Sequence, residues 1–391
     1  MYDTINLEVN VMIKEILNKF NIEGELINIT ENHSGNINKT FVATFKRKDG
    51  SERKYLIQKI NTTVFAEPYK LMKNIEGVTA YLKRQMIKNG DTTHQVPEVI
   101  KTKDNKSLCY VNDETGTRKY YRIYEFIENA VSYDQSQDKE IVYNTGKAFG
   151  NFQRLLGNYP MSKLEETIKD FHDTKKRYDK LMDDIKIDSE GRVAEVANEI
   201  VFILMREDIC SLIMDDLGTE EIPYRVTHND TKVNNVMMNK DTGDFLAVID
   251  LDTVMPGSML FDYGDGIRST ACTAKEDEHD LSKVKMDLDL FKAYTDGYLS
   301  EMSESLTYEE LSLMAESVRI MTLELAIRFL NDYINGDTYF KTDYDKQNLY
   351  RTRAQIALVK DIESKLDLMD SYIKESYSEK YNGKYARVLK R

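Results

Sequence analysis

Apolar residues recur along this chain at two spacings, and the change from one to the other divides it. In "NVMIKEILNKF" (residues 10–20), Met12, Ile13, Ile16, Leu17 and Phe20 return every three to four positions, which gathers them on one helical face. "KTFVATFKR" and "RKYLIQKI" instead alternate or run apolar, and the polar "KDGSE" between them reads as the turn of a strand pair. Helical period resumes in "EPYKLMKNIEGVTAYLKRQM" through Leu71, Ile75, Val78 and Leu82, and strand texture in "SLCYV" and "KYYRIYEFI". Beyond residue 129 long amphipathic runs dominate, and helices are expected over residues 137–157, 162–186, 192–216, 281–300, 308–335 and 346–373. One short interruption, "NVMMN" and "FLAVID" around the "KDTGD" turn, reads as a hairpin. The pattern predicts an α+β chain. A sheet-rich lobe, residues 1–128, precedes a larger helical lobe, residues 129–391, with the hinge in "EFIENAVSYD".

Length supports the division, since 391 residues exceed what one hydrophobic core usually organises. With 41% hydrophobic and 31% charged residues, the composition is that of a soluble globular protein. A net charge of −13 repels phosphate backbones and argues against nucleic acid as a partner. The basic end "KYNGKYARVLKR" reads as a solvated terminus. "MYDTINLEVNVMIKEILNKF" carries acidic residues where a signal peptide needs positive ones. No apolar window approaches the roughly 20 residues of a bilayer span, so no membrane association is expected. Cys109, Cys210 and Cys272 are odd in number, far apart and without a CxxC, which disfavours disulfides and zinc and suits a reducing compartment. A cytoplasmic monomer is the expectation.

The hairpin region holds the chemistry. "THNDTKVNNVMMNKDTGDFLAVIDLD" (residues 227–252) reads His228-x-Asp230-x-Lys232-x-x-Asn235, and Asp250 follows at the end of an apolar strand. Phosphoryl transfer from ATP needs a carboxylate to orient and deprotonate the attacking hydroxyl, oxygen ligands for magnesium, and a cation near the migrating charge. Asp230 fits the first role, Asn235 and Asp250 the second, with the hard oxygen donors magnesium prefers, and Lys232 the third. A polar loop with capping Asx residues would explain any three of these residues. It does not explain the whole set in strand–turn–strand context.

This segment resembles the catalytic loop of eukaryotic-type protein kinases, H-R-D-L-K-x-x-N followed by D-F-G. It is more similar to the aminoglycoside-phosphotransferase-like small-molecule kinases, in which an I-D-x-[DE] strand end, here "IDLD", replaces D-F-G. Together with "IDLDTVMPGSMLFDYGDGIRS", "RFLNDYINGDTYF" and "NLYRTRAQIALV", it looks like the N-acetylhexosamine 1-kinases, from about Gly35 to Glu363. The resemblance implies a two-lobed protein-kinase-like fold, ATP with Mg2+, and transfer to the anomeric hydroxyl of N-acetylglucosamine or N-acetylgalactosamine.

The resemblance also places the remaining site. "NHSGNINKTFVATF" is similar to a shortened G-x-I-N phosphate loop, with phosphates met by backbone N–H groups of Ser34, Gly35 and Asn36. In "YLIQKIN", Gln58 and Lys59 point to opposite faces of the strand, so only one can meet the α- and β-phosphates. Lys59 is chosen because the role needs a cation, with Glu76 as its partner. Glu125 to Glu128 form the adenine hinge, with Glu125 and Ile127 offering backbone groups. Asp252 is a second metal-side carboxylate or a loop cap. Asp262, Asp265 and His228 brace the catalytic loop. Arg328 and Tyr339 match positions that hold the sugar. Their plain alternatives are an Arg328–Asp332 pair and a core position for Tyr339. Ser269 follows Arg268 where the family often carries an aromatic, which leaves the hexosamine open. Rival readings are a choline, homoserine or aminoglycoside kinase of the same fold, or a nucleotide-binding pseudokinase. The absence of tryptophan, beside 25 tyrosines, bears on a choline cage.

Overall fold

The computed structural model describes residues 2–4, 7–32 and 37–380. The chain forms two compact units, one of residues 1–130 with 162–169, the other of residues 131–161 with 170–391.

The first unit is built on a six-stranded antiparallel sheet in the order Tyr2–Thr4, Glu25–Asn32, Lys39–Lys46, Glu52–Lys59, Arg118–Glu125, Cys109–Asn112. The register sets Phe41 opposite Ile57 and Ile57 opposite Ile123. One face of the sheet thus presents Phe41, Ala43, Tyr55, Ile57, Tyr121 and Ile123 to Ile13, Ile16 and Leu17 of the helix Leu7–Leu17. Burying each of the larger side chains contributes about 1.5–3 kcal/mol. The helix Pro68–Lys88 starts with proline in its first turn, where a missing N–H costs nothing, and buries Leu71, Met72, Ile75, Val78 and Leu82. The strand Glu25–Asn32 was not among the expected elements. In "ELINITEN" only Ile29 is buried, so the strand is specified by backbone pairing with Lys39–Lys46 rather than by an apolar face.

Residues 162–169 depart from the expected helix 162–186. They belong to the first unit, where Asn74 Nδ2 donates to the Glu165 carbonyl at 2.7 Å and the Glu165 amide donates to Asn74 Oδ1 at 2.9 Å. The helix begins only at Thr174, where Asp173 caps it by accepting from the Lys176 amide at 3.0 Å.

The second unit contains the helices Lys139–Leu156, Thr174–Ile187, Ala197–Leu204, Met259–Thr270, Leu288–Met302, Tyr308–Ile334 and Gln347–Lys380. The expected helix 192–216 is broken into Ala197–Leu204 between two tight 3-10 turns, Val193–Val196 and Glu207–Ile209. Val201 and Met205 stay exposed, so the apolar period there had no continuous core to meet. The expected helix 281–300 starts at Leu288, capped by Asp287 through the amides of Asp289 and Leu290. Met259–Thr270 is a helix outside the six expected ones. Its Gly264 and Gly266 weaken helix propensity, but a Cβ at Gly264 would lie 2.5 Å from the Ser317 carbonyl oxygen. Packing needs the glycine where propensity opposes it. The expected hairpin is present as Val236–Asn239 and Phe245–Val248, with Val236 opposite Val248.

Candidate active site

The loop of residues 228–235 in the second unit is pinned at its entry. Strand Arg225–Thr227 pairs antiparallel with Met255–Gly257. Arg225 Nε and Nη2 each reach the fully buried Glu310 carboxylate at 2.6 Å. His228 follows, fully buried, its ring edge-on to Phe149 and Phe152 at 5.3 and 5.9 Å, with Nε2 donating to the Ile249 carbonyl at 2.8 Å. The imidazole is a brace, and it ties the loop to the strand end before Asp250. Asp262 accepts from the amides of His228 and Asn229 at 2.8 and 2.7 Å and from Gln153 Nε2 at 2.5 Å. Burial pushes the Asp262 carboxyl up, against the pull of His228 and these donors. Asp265 accepts the Thr231 amide at 3.2 Å and two N–H groups of Arg268 at 2.9 and 2.7 Å. Asp262 and Asp265 lie one helical turn apart, so one helix face fixes residues 228–231.

At the loop's centre, Asp230 is held from two sides. Asn235 Nδ2 donates to its carboxylate at 3.0 Å and to its carbonyl at 2.8 Å, and Lys232 Nζ lies 2.8 Å from Oδ1. The Asp230 charge keeps the Lys232 ammonium above its usual pKa, against burial. With its amide nitrogen committed to Asp230, Asn235 has Oδ1 as the atom a cation would meet. The Ile249 amide donates to the Asn235 carbonyl at 2.9 Å, which brings the residue before Asp250 against Asn235. Asp250 is exposed, with φ of 58°, a left-handed conformation that aspartate adopts more readily than most residues. A carboxylate and an amide oxygen are the hard donors a cation such as magnesium prefers. Asp252 is set apart from Asp250, buried at 3% exposure. Among the described residues, no group of three or more His, Cys, Asp or Glu could hold a metal, so Asp230, Asp250 and Asp252 make no three-carboxylate site.

A buried chain of contacts leads from the loop to Arg328. His172 Nε2 lies 3.4 Å from the Asn229 carbonyl, and its Nδ1 lies 2.8 Å from Glu324, which also accepts Thr174 Oγ1 at 2.7 Å. Arg328 lies 3.9 Å from Glu324, between the rings of Phe171 and Phe340 at 5.2 and 5.5 Å. The Arg328–Asp332 pair weighed from the sequence is not formed. Asp332 instead accepts the amides of Thr338, Tyr339 and Phe340 at 2.8–2.9 Å. Tyr339 is not core, being 59% exposed.

In the first unit the expected Lys59–Glu76 pair is also not formed. Glu76 is bound by Lys101. Lys59 shares the parity of Tyr55 and Ile57, hence the face that meets Leu7–Leu17, beside Lys39 and Lys119. Burial and then these two ammonium groups lower its pKa. The opposite face carries Gln58, whose Oε1 accepts Arg122 Nε and Nη2 at 3.0 and 2.8 Å, while Arg122 Nη1 lies 3.9 Å from Met72 of Pro68–Lys88. Glu125 pairs with Arg53, and its amide donates to the Glu98 carbonyl at 2.9 Å, with Phe126 donating to Lys54 at 3.1 Å. The Ile127 amide donates to no other backbone group among the described residues. Ser34, Gly35 and Asn36 lie outside the described residues.

The sequence profile of the phosphotransferase enzyme family (APH) matches residues 28–298, more than half of the chain. The chain belongs to this family. Its fold matches the microcompartment-associated aminopropanol kinase with a TM-score of 0.61 at 15% identity, over 92% of this chain and 98% of that one. An aminoglycoside phosphotransferase of Alicyclobacillus acidocaldarius matches with a TM-score of 0.59 at 11% identity, over 93% and 96%. The choline kinase of Cryptosporidium parvum matches with 0.54 at 15%, over 94% and 99%. At such identities the likeness is one of fold. No helix among the described residues is long and apolar enough to cross a membrane.

As a phosphotransferase of this family, the chain carries Asp230, Asn235 and Asp250 inside the matched span, and Arg328 and Tyr339 beyond it. Sequence reading missed the buried contacts of Arg122, His172 and Glu324. Their only linear signal was polarity within otherwise apolar helical or strand periods, which is equally the mark of an exposed face.

Proposed function

We propose that this phosphotransferase uses ATP and magnesium to phosphorylate the C1 hydroxyl of an N-acetylhexosamine. The observation that carries the reading is Asp230 clasped between Asn235 and Lys232, with Asp250 next to Ile249, whose amide is tied to the Asn235 carbonyl. Asp230 takes the proton of the anomeric hydroxyl as its oxygen attacks the γ-phosphorus in line. The bond to the β,γ-bridging oxygen breaks and ADP leaves. That hydroxyl is more acidic than an ordinary alcohol because the ring oxygen withdraws charge, so a carboxylate suffices as base. Asn235 and Asp250 would hold magnesium. The ion would neutralise charge on the phosphate oxygens. Lys232 brings positive charge to the same region. The Ile127 amide is the donor offered to adenine. On the acceptor side, Arg328 offers a guanidinium held between aromatic rings, and Tyr339 an exposed phenol suited to a pyranose edge.

A second reading, an amine-bearing alcohol as acceptor, is favoured by fold neighbours that are aminopropanol and choline kinases. One assay separates the two. ADP release is followed with ATP and magnesium across N-acetylhexosamines, hexoses, choline and aminoglycosides. Release that depends on an N-acetylhexosamine, and that D230N abolishes with ATP still bound, supports the first reading. Release that depends on choline or an aminoglycoside replaces it with the second.

A further inference from the structure

The peptide unit that leads into Asp230 is gripped at both ends by a histidine. Its N–H, on Asp230, donates to His228 Nδ1 at 3.3 Å, and its C=O, on Asn229, lies 3.4 Å from His172 Nε2. The two rings differ in what they face. His228 accepts at Nδ1 and donates from Nε2 to the Ile249 carbonyl, so one ring proton satisfies it. His172 faces an acceptor on each side, the Asn229 carbonyl at Nε2 and the Glu324 carboxyl at Nδ1, 2.8 Å away. Burial would raise the Glu324 carboxyl, but His172, and after it Arg328 and Thr174, hold it below the usual range. Glu324 is therefore an anion, and neither it nor a carbonyl has a proton to give. At 1% exposure its charge needs a cation in contact. Arg328 stands off at 3.9 Å, which leaves His172 as the cation at hydrogen-bond distance. Asn229 has a left-handed backbone, φ 63°, held at its amide by Asp262 and at its side chain by the Thr253 carbonyl. His172 holds the backbone group that remains.

We propose that His172 is a positioning residue that acts as a cation, donating from both ring nitrogens so that the Asn229 carbonyl, and with it the direction of Asp230, is tied to the buried Glu324. The inference rests on reading Asp230 as the proton acceptor, and it is indifferent to which alcohol is phosphorylated. Loss of one ring proton leaves one of the two oxygens facing a nitrogen lone pair. The carboxylate is the stronger acceptor and keeps the proton at Nδ1, so the Asn229 carbonyl is the contact that fails. The proton is lost as pH rises, so the positioning fails on the alkaline side. Glu324 and Asp265 favour the second proton, while Arg328 and Arg177 oppose it. Asp170 and Asp173, beside the ring in the chain, are paired with Lys176 at 2.7 and 3.1 Å, and Asp230 with Lys232.

The first arm of the test reads the ring without any substrate. Nitrogen–proton correlation spectra of the protein labelled at its histidine ring nitrogens, taken at about pH 7.5, show one ring protonated at both positions, and H172Q removes it. A His172 ring with a single proton overturns the inference and leaves the proposed function intact. The second arm follows kcat against pH at saturating ATP, magnesium and acceptor, with thermal melts to verify folding. Wild-type kcat falls with rising pH in a one-proton step. H172Q lowers kcat about ten- to hundred-fold, as misplaced reacting groups do, keeps the KM for ATP within about two-fold, and lacks that step. E324Q keeps the shape of the side chain but removes the anion, and it moves the step to lower pH. A step unmoved in H172Q, or wild-type kcat in folded H172Q, overturns the inference. Should H172Q not fold, E324Q decides: loss of the doubly protonated ring supports the inference, and its persistence overturns it. Full activity of D230N removes Asp230 as the base and takes the positioning role with it, while the ring spectrum still decides whether His172 is a cation.

Discussion

Asp262 holds Asn229 by its backbone, with Oδ1 2.7 Å from the amide nitrogen while Oδ2 takes the neighbouring amide of His228. The residue before Asp230 is therefore fixed by a carboxylate 33 positions further along the chain. Asp262→Ala strands two amides and the Gln153 carboxamide in a buried site. The expected cost is about 3 kcal/mol of stability or more, since each orphaned donor costs about 1–3 kcal/mol. Urea unfolding measures it, and an unchanged midpoint would show that water or a rearranged loop replaces the carboxylate.

Asp230→Asn retains the size of the side chain and the contact with Asn235 but removes the proton acceptor. Loss of a general base costs about 10²–10⁴ in kcat. The expected outcome is a fall of that order with nucleotide affinity within about two-fold of wild type, read by titration calorimetry with a non-hydrolysable ATP analogue. A fall confined to KM would remove Asp230 from the chemical step.

Asp265 links stability to pH. Burial alone would raise its carboxyl, but Arg268 and Lys232 hold it below the usual 3.8. A carboxyl that titrates lower in the folded state stabilises the fold above the unfolded value, and this contribution is lost as pH falls through the folded value. Asp265→Asn is expected to be less stable at pH 7 and to lose less stability than wild type on acidification below about pH 4. Melting temperatures at stepped pH measure the two slopes, and parallel slopes would contradict the assignment.

Asp332 gathers the amides of Thr338, Tyr339 and Phe340 and accepts Asn348 Nδ2 at 2.9 Å, so it shapes the loop that presents Tyr339. Asp332→Ala is expected to raise the acceptor KM by about ten-fold or more, as loosened positioning costs binding, and to leave the ATP KM near wild type. Equal increases in both would mean that the loop supports the whole unit rather than the acceptor.

Legibility in the sequence followed the range of the interactions. The hairpin Val236–Val248 was readable because turn chemistry and strand alternation act between near neighbours. So was the order Asp230, Lys232, Asn235, Asp250, because one local element positions all four. The bracing of the loop by His228, Asp262 and Asp265 was anticipated through the resemblance, yet the helix that carries the two aspartates was not. Gly264 and Gly266 make it a poor helix in isolation, and only the close approach of Ser317 to the first and of Tyr294 to the second explains them.

The amino-acid order by itself therefore determined the fold class and the local segment that holds the candidate residues, since periodicity and loop chemistry are local. Tertiary structure alone decided the partners of long charged side chains. Glu76 takes Lys101 rather than Lys59, and Arg328 faces Glu324 rather than Asp332. A flexible side chain on a helix or strand reaches many candidate partners at similar sequence distance. Which one it meets is set by how faces pack, a non-local quantity that no linear spacing encodes.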